Sequence, residues 1–163
     1  MTSGTPTLHM LCGKIAAGKS TLAAQLAKDK NAILIAEDEW LATLSGHEMK
    51  TARDYVRCAS RLRVVMGPHV VSLLKAGSSV VLDFQANTVD SRAWLRGLFD
   101  EAHAVHQLHV LVPPDDVCLA RLRARNARGT HSFTVTEDQF HEISKHFAEP
   151  SPNEGFDVVR YDY

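Results

Sequence analysis

Residues 8–22, LHMLCGKIAAGKSTL, limit what this chain can fold into more than any other stretch. An apolar run, 8–12, is followed by Gly13-x-x-x-x-Gly18-Lys19-Ser20 and then by strong helix formers. The apolar run reads as a strand, and 20–28 carries Leu22, Ala23, Leu26 and Ala27 at helical spacing. A strand that enters a helix through a loop of this spacing is the phosphate-binding P-loop. Gly13 and Gly18 let the backbone turn tightly, so that the N–H groups of the loop, Lys14, Ile15, Ala16 and Ala17 among them, face a polyphosphate. The helix opening at Lys19, with Ser20 and Thr21 in its first turn, brings its partial positive end to the same anion. The Lys19 ammonium is expected to reach the β- and γ-phosphates and the Ser20 hydroxyl to ligate magnesium.

With 163 residues, the chain is expected to form one domain over 1–163 with a real core. A formal net charge of −1 gives no global attraction to nucleic acid or an anionic membrane, so any basic site must be local. Cys12, Cys58 and Cys118 form no C-x-x-C pair and fall in apolar or helical runs. They read as small core residues in a reducing, cytoplasmic setting. The opening MTSGTPT is polar, and nothing in the chain reads as a signal peptide or membrane span.

The apolar run 32–36 suits a strand buried on both faces, and it ends directly in Glu37-Asp38-Glu39-Trp40. Acids at the carboxyl end of such a strand lie where open α/β sheets bind ligands. Asp38 either caps a helix over 39–44 or faces that ligand. A third strand, 79–82, runs into Asp83, the Walker B arrangement in which a carboxylate orients magnesium or its water. Ser20 and Asp83 are therefore the candidate metal residues, and 84–88 (FQANT) adds amides and a hydroxyl at the same end. Between them, 50–76 reads as a long helix that Gly67-Pro68 breaks or kinks. Its Arg53, Arg57 and Arg61 share one face, either a solvated surface or an anion-facing wall. His47 and His69 belong to no cluster of metal-site spacing and read as surface or packing residues.

A helix over 89–103 presents Trp94, Leu95, Leu98 and Phe99, and a fourth strand, 106–112, is closed by Pro113-Pro114. In the next helix, 115–126, Arg121 and Arg125 share a face with Arg128, whereas Arg123 points away. Arg128-Gly129-Thr130-His131 opens a mobile segment, about 126–135. A guanidinium face ahead of a glycine-bearing loop suits a lid over a transferring phosphate, and an exposed basic helix is the alternative. The reading closes with a helix over 135–147, a turn over 149–155 and a last strand over 156–161.

This order of elements is similar to the small P-loop kinases of the polynucleotide-kinase and zeta-toxin group, the AAA-type kinases. The resemblance implies an α/β P-loop NTPase three-layer sandwich. Its five-stranded parallel sheet would run in the order 2-3-1-4-5, with helices on both faces and a small Arg-rich lid. It also implies ATP and Mg²⁺ as cofactors. The group's general-base aspartate falls on Asp38, and its lid motif is present, one residue shorter, as Arg125-Asn126-Ala127-Arg128-Gly129-Thr130. By that match Arg128 stabilises charge on the transferring phosphoryl group beside Lys19 and Asp38, with Arg121 and Arg125 among the nucleotide contacts. The group's acid after the third strand falls on Asp83, although Phe84-Gln85-Ala86 intervenes before Asn87-Thr88.

Polynucleotide kinases of this group carry an arginine shortly after the base aspartate to grip a substrate phosphate; this chain has Leu41. No phosphatase domain follows before Tyr163. Both departures favour a small hydroxylated acceptor, whether nucleoside, sugar or antibiotic-like molecule, over nucleic acid. A polynucleotide 5′-hydroxyl kinase, a kinase of nucleotide sugars and a non-catalytic ATP-binding regulator are the alternatives. No membrane partner is expected, and oligomeric state has no signature in the sequence. A switch GTPase would need Asn-Lys-x-Asp to read guanine, and that tetrad does not occur.

Overall fold

The computed structural model describes residues 4–129 and 133–162. Five parallel strands form one sheet: β1 (Thr7–Cys12), β2 (Ile33–Ala36), β3 (Val80–Gln85), β4 (Val105–Leu111) and β5 (Val158–Tyr161). Their spatial order is β2-β3-β1-β4-β5, as the resemblance implies. Around the sheet lie α1 (Lys19–Asp29), α2 (Glu37–Ser45), α3 (Ala52–Lys75), α4 (Val89–Ala102), α5 (Asp115–Arg128) and α6 (Glu137–Ser144).

The central position of β1 explains its unbroken apolar sequence. Leu8, Met10 and Cys12 enter one core with Val80, Leu82 and Phe84 and with residues of α3 and α4. Leu11 and Val81 enter a second core on the other face, with Ala23 and Leu26 of α1, Cys118 and Leu122 of α5 and Phe140 of α6. Two cores separated by one sheet make the three-layer sandwich. All three cysteines are buried free thiols, as their apolar settings suggest. Among the described residues no helix is long and apolar enough to cross a membrane.

Several local expectations are corrected. β2 is an edge strand, so only Ile35 is buried in it, while Ile33 and Leu34 face solvent. α3 is not broken at Gly67-Pro68: it runs continuously to Lys75. Pro68 lies on an exposed face of the helix, and Gly67 faces inward. A Cβ at Gly67 would meet Leu98 Cδ2 at 3.4 Å and Trp94 Cζ2 at 3.6 Å, ordinary contact distances, so the helix packs against α4 at this point. The helix expected over 135–147 is shorter, opened by a reciprocal capping box of Thr136 and Gln139 and closed at Lys145. Phe156 lies outside β5, whose pairing with β4 begins at Val158, since the Asp157 N–H donates to the His106 ring at 3.0 Å instead.

Candidate active site

The P-loop joins β1 to α1 in a backbone shape that glycine permits. Gly18, the N-cap of α1, has φ 104, and Ala16 also adopts a left-handed φ of 62. Gly13 meets a different demand: a Cβ there would stand 2.7 Å from the Leu111 carbonyl oxygen. β4 passes too close for any other residue to fit without the loop moving.

Lys19 folds back over the loop and donates from Nζ to the carbonyls of Gly13 and, at 2.9 Å, Lys14. Burial pushes the Lys19 ammonium below the ordinary lysine range, opposed first by Asp83 and further by Asp38. Both carboxylates thus act on the P-loop lysine. Ser20 donates from Oγ to Asp83 Oδ2 at 3.1 Å. Burial raises the Asp83 carboxyl, while the Ser20 bond and Lys19 pull it down. The Lys14 side chain turns aside to Asp115 Oδ1 at 2.8 Å, which leaves Lys14 in the loop through its backbone.

Asp38 is not a helix cap. α2 starts two residues earlier than expected, at Glu37, with Ala36 as an N-cap that forms no side-chain bond. Asp38 accepts at Oδ1 from the Tyr55 hydroxyl at 3.2 Å. From α5, Arg121 donates to the Ala17 carbonyl at 3.1 Å, on the P-loop itself. Burial lowers the Arg125 guanidinium, and the Asp38 charge opposes that shift. Arg125 Nε is buried without a hydrogen-bond partner among the described residues. Arg128 is exposed in the last turn of α5, and Arg123 points away to Glu137, as the helical spacing predicts.

Of the expected lid, Thr130 and His131 lie outside the described residues. Its stems are pinned together where Asn126 Nδ2 donates to the Val135 carbonyl at 2.7 Å. Phe133 stands edge-on to Tyr55, with ring centroids 5.7 Å apart. The stripe of Arg53, Arg57 and Arg61 is a solvated surface, with Arg57 paired to Asp54.

Two features escape a reading of the sequence. Asn87 braces the P-loop: its Oδ1 accepts from Gly13 N–H at 2.9 Å and its Nδ2 donates to the Gly13 carbonyl at 2.8 Å. The segment 84–88 was legible as a source of amides, but no spacing rule links Asn87 to a glycine in the first loop. The other is Glu37, 4% exposed, held by Tyr55 and beside Arg63 of α3. Only the acidic run after β2 pointed toward it.

The profile of the AAA domain (AAA_33) matches residues 8–150, from β1 through the segment after α6. The chain belongs to this family. Curated protein sequences offer no match to this AAA domain. Solved structures do resemble it in fold. A candidate kinase from Chloroflexus aurantiacus superposes with a TM-score of 0.76 at 21% identity, covering 97% of this chain and 85% of that one. A sugar kinase from Janibacter gives 0.65 at 17% identity, with 98% and 86% covered. The APS kinase of Mycobacterium tuberculosis, in complex with AMPPNP and APS, gives 0.62 at 18% identity, with 98% and 90% covered. The AAA domain therefore has the P-loop kinase fold.

Proposed function

We propose that this AAA domain is an ATP-dependent phosphotransferase that moves the γ-phosphate to a hydroxyl of a small molecule. One observation carries the reading: at the mouth of a P-loop that Lys19 folds over, Ser20 holds Asp83 at 3.1 Å, Tyr55 holds Asp38 at 3.2 Å and Arg121 reaches the Ala17 carbonyl at 3.1 Å. That set provides cations for a triphosphate and carboxylates for a metal and an acceptor. Phosphoryl transfer needs little beyond such positioning and charge.

The P-loop amides and Lys19 hold the β- and γ-phosphates. Ser20 and Asp83 are an oxygen pair of the kind magnesium takes from a protein, since it usually draws its remaining ligands from phosphates and water. When bound there, Mg²⁺ neutralises charge on the phosphates. Asp38, oriented by Tyr55, accepts the proton of the acceptor hydroxyl as its oxygen attacks phosphorus. Arg121 and Arg125, with Arg128 from the lid, stabilise the charge on the moving phosphoryl group.

Leu41 supports a small acceptor over a polynucleotide. The resemblance would put a phosphate-gripping arginine near this position, but Leu41 is 1% exposed in the main core. The three buried thiols suit a reducing, cytoplasmic compartment. The test is mass spectrometry of products after incubation with ATP, Mg²⁺ and a library of metabolites, antibiotics and oligonucleotides. A product heavier by one phosphate is expected, and Asp38→Asn should abolish it while ATP still binds. Tight ATP binding with neither transfer nor hydrolysis would identify a non-catalytic regulator instead.

A further inference from the structure

Beside Asp38, Glu37 and Arg63 face each other with incomplete hydrogen bonding. Glu37 Oε1 accepts from the Tyr55 hydroxyl at 3.3 Å, but Oε2 has no hydrogen-bond partner among the described residues. The same holds for the buried Arg63 Nε, which stands 3.6 Å from Glu37 Oε2. That separation is an ion contact and is too long for a good hydrogen bond. The Glu37 side chain is 5% exposed, so bulk water does not reach it freely. An accepting oxygen and a donating nitrogen at this spacing fit a hydroxyl group, which donates to one and accepts from the other.

Both residues line a cavity of about 140 Å³ together with Tyr55 and Gln85. Pockets for whole ligands are usually about 300–1,000 Å³, so this one is sized for a ring or short chain. Its charge balance is equally selective. Above about pH 7, where the Glu37 carboxyl is ionised, its formal charge and that of Arg63 cancel, and the Arg63 guanidinium is further engaged 5.1 Å above the Trp94 ring. A phosphate brought into this cavity would be desolvated next to a carboxylate and a cation already neutralised. A neutral molecule rich in hydroxyls meets no such cost. The Tyr55 hydroxyl touches both Glu37 and Asp38, which places the cavity one side chain from the proposed base.

We infer that Glu37 and Arg63 form an acceptor subsite for a neutral polyol, holding a hydroxyl next to the one that receives the phosphate. This rests on the phosphotransfer reading above. In the transfer itself, the acceptor oxygen bonds to the γ-phosphorus, the bond from that phosphorus to ADP breaks, and the hydroxyl proton passes to Asp38.

The experiment measures transfer from ATP with Mg²⁺ to three kinds of acceptor. They are the neutral polyols ribose, glucose and glycerol, the phosphate esters of these polyols, and an oligonucleotide with a 5′-hydroxyl. Transfer to at least one neutral polyol and not to its ester is expected. Glu37→Gln, which has one accepting oxygen in place of two, should raise the KM for that polyol by about tenfold or more. Arg63→Lys should raise it as well, and ATP binding measured alongside reports that each variant is folded. A deoxy analogue of the polyol, lacking the neighbouring hydroxyl, should lose as much against the unmodified protein and little more against Glu37→Gln. Transfer confined to charged acceptors, or a polyol KM untouched by Glu37→Gln, overturns the subsite and leaves phosphotransfer standing. Transfer to no acceptor of any kind overturns both.

Discussion

Glu37 gives the stability of the protein a pH dependence that follows from its burial. Loss of water pushes its carboxyl from 4.5 up to about 7, against the opposing pull of Arg63 and Tyr55. Between those two values the folded state binds more protons than the unfolded chain. The stability contributed by the protonated carboxyl is therefore full below about pH 4.5 and is lost as pH rises through about 7. The loss is on the order of 3 kcal/mol. Glu37→Gln should flatten this part of the profile, as urea unfolding at a series of pH values would show. Gly13 sets a steric limit of a different kind. Gly13→Ala puts a methyl group against the Leu111 carbonyl, with the Ala17 Cβ at 3.1 Å and no flexible side-chain end to yield. It should cost about 1–3 kcal/mol of stability and abolish nucleotide binding, measured by thermal unfolding and by titration with a fluorescent ATP analogue.

Among the elements, the stretch that leads into α6 reaches the proposed acceptor side through one ring. Its Phe133 rests on Tyr55, which in turn bonds to both Glu37 and Asp38. Phe133→Ala should loosen that tyrosine and raise the acceptor KM several-fold while the affinity for ATP holds, separable by steady-state kinetics and nucleotide titration. The elements differ in how far their sequence announces them. The β1–P-loop–α1 unit was legible because its glycines, lysine and serine act within one short stretch of chain. Asp38 was legible as an acid just past a strand end for the same reason, and so was Asp83, although β3 runs beyond the expected 79–82 and carries Asp83 inside it. Glu37, Tyr55 and Arg63 gain their meaning only when α3 packs beside β2, and no local spacing encodes that contact. α3 itself shows the converse. Gly67-Pro68 reads as a stop, yet packing of Gly67 against Trp94 and Leu98 carries the helix through.

Over the whole molecule, the sheet order brings the carboxyl ends of β1, β2 and β3 side by side, and a buried arginine ties the remaining loops to them. Arg92 of α4, fully buried, pairs with Glu154 at 2.7 Å and donates to the carbonyls of Ala86 and Ala148. Glu154→Ala would leave that guanidinium without its counter-charge. It should destabilise the protein by about 3–5 kcal/mol, read as a lower urea midpoint. The family match extended the fold to nearly the whole chain, whereas the acceptor stayed a matter of side chains gathered from distant segments.

The Asn87 side chain occupies the position a neighbouring peptide group would take beside Gly13, and the Asn87 backbone carbonyl accepts from Ala148 N–H at 2.8 Å. This makes a seam, stitched like a strand pair, from the first turn of the protein to a stretch near its other end. A triphosphate that steadies one edge of the seam steadies the other, so deuterium uptake at the Ala148 amide should slow when ATP binds, far along the chain from any phosphate.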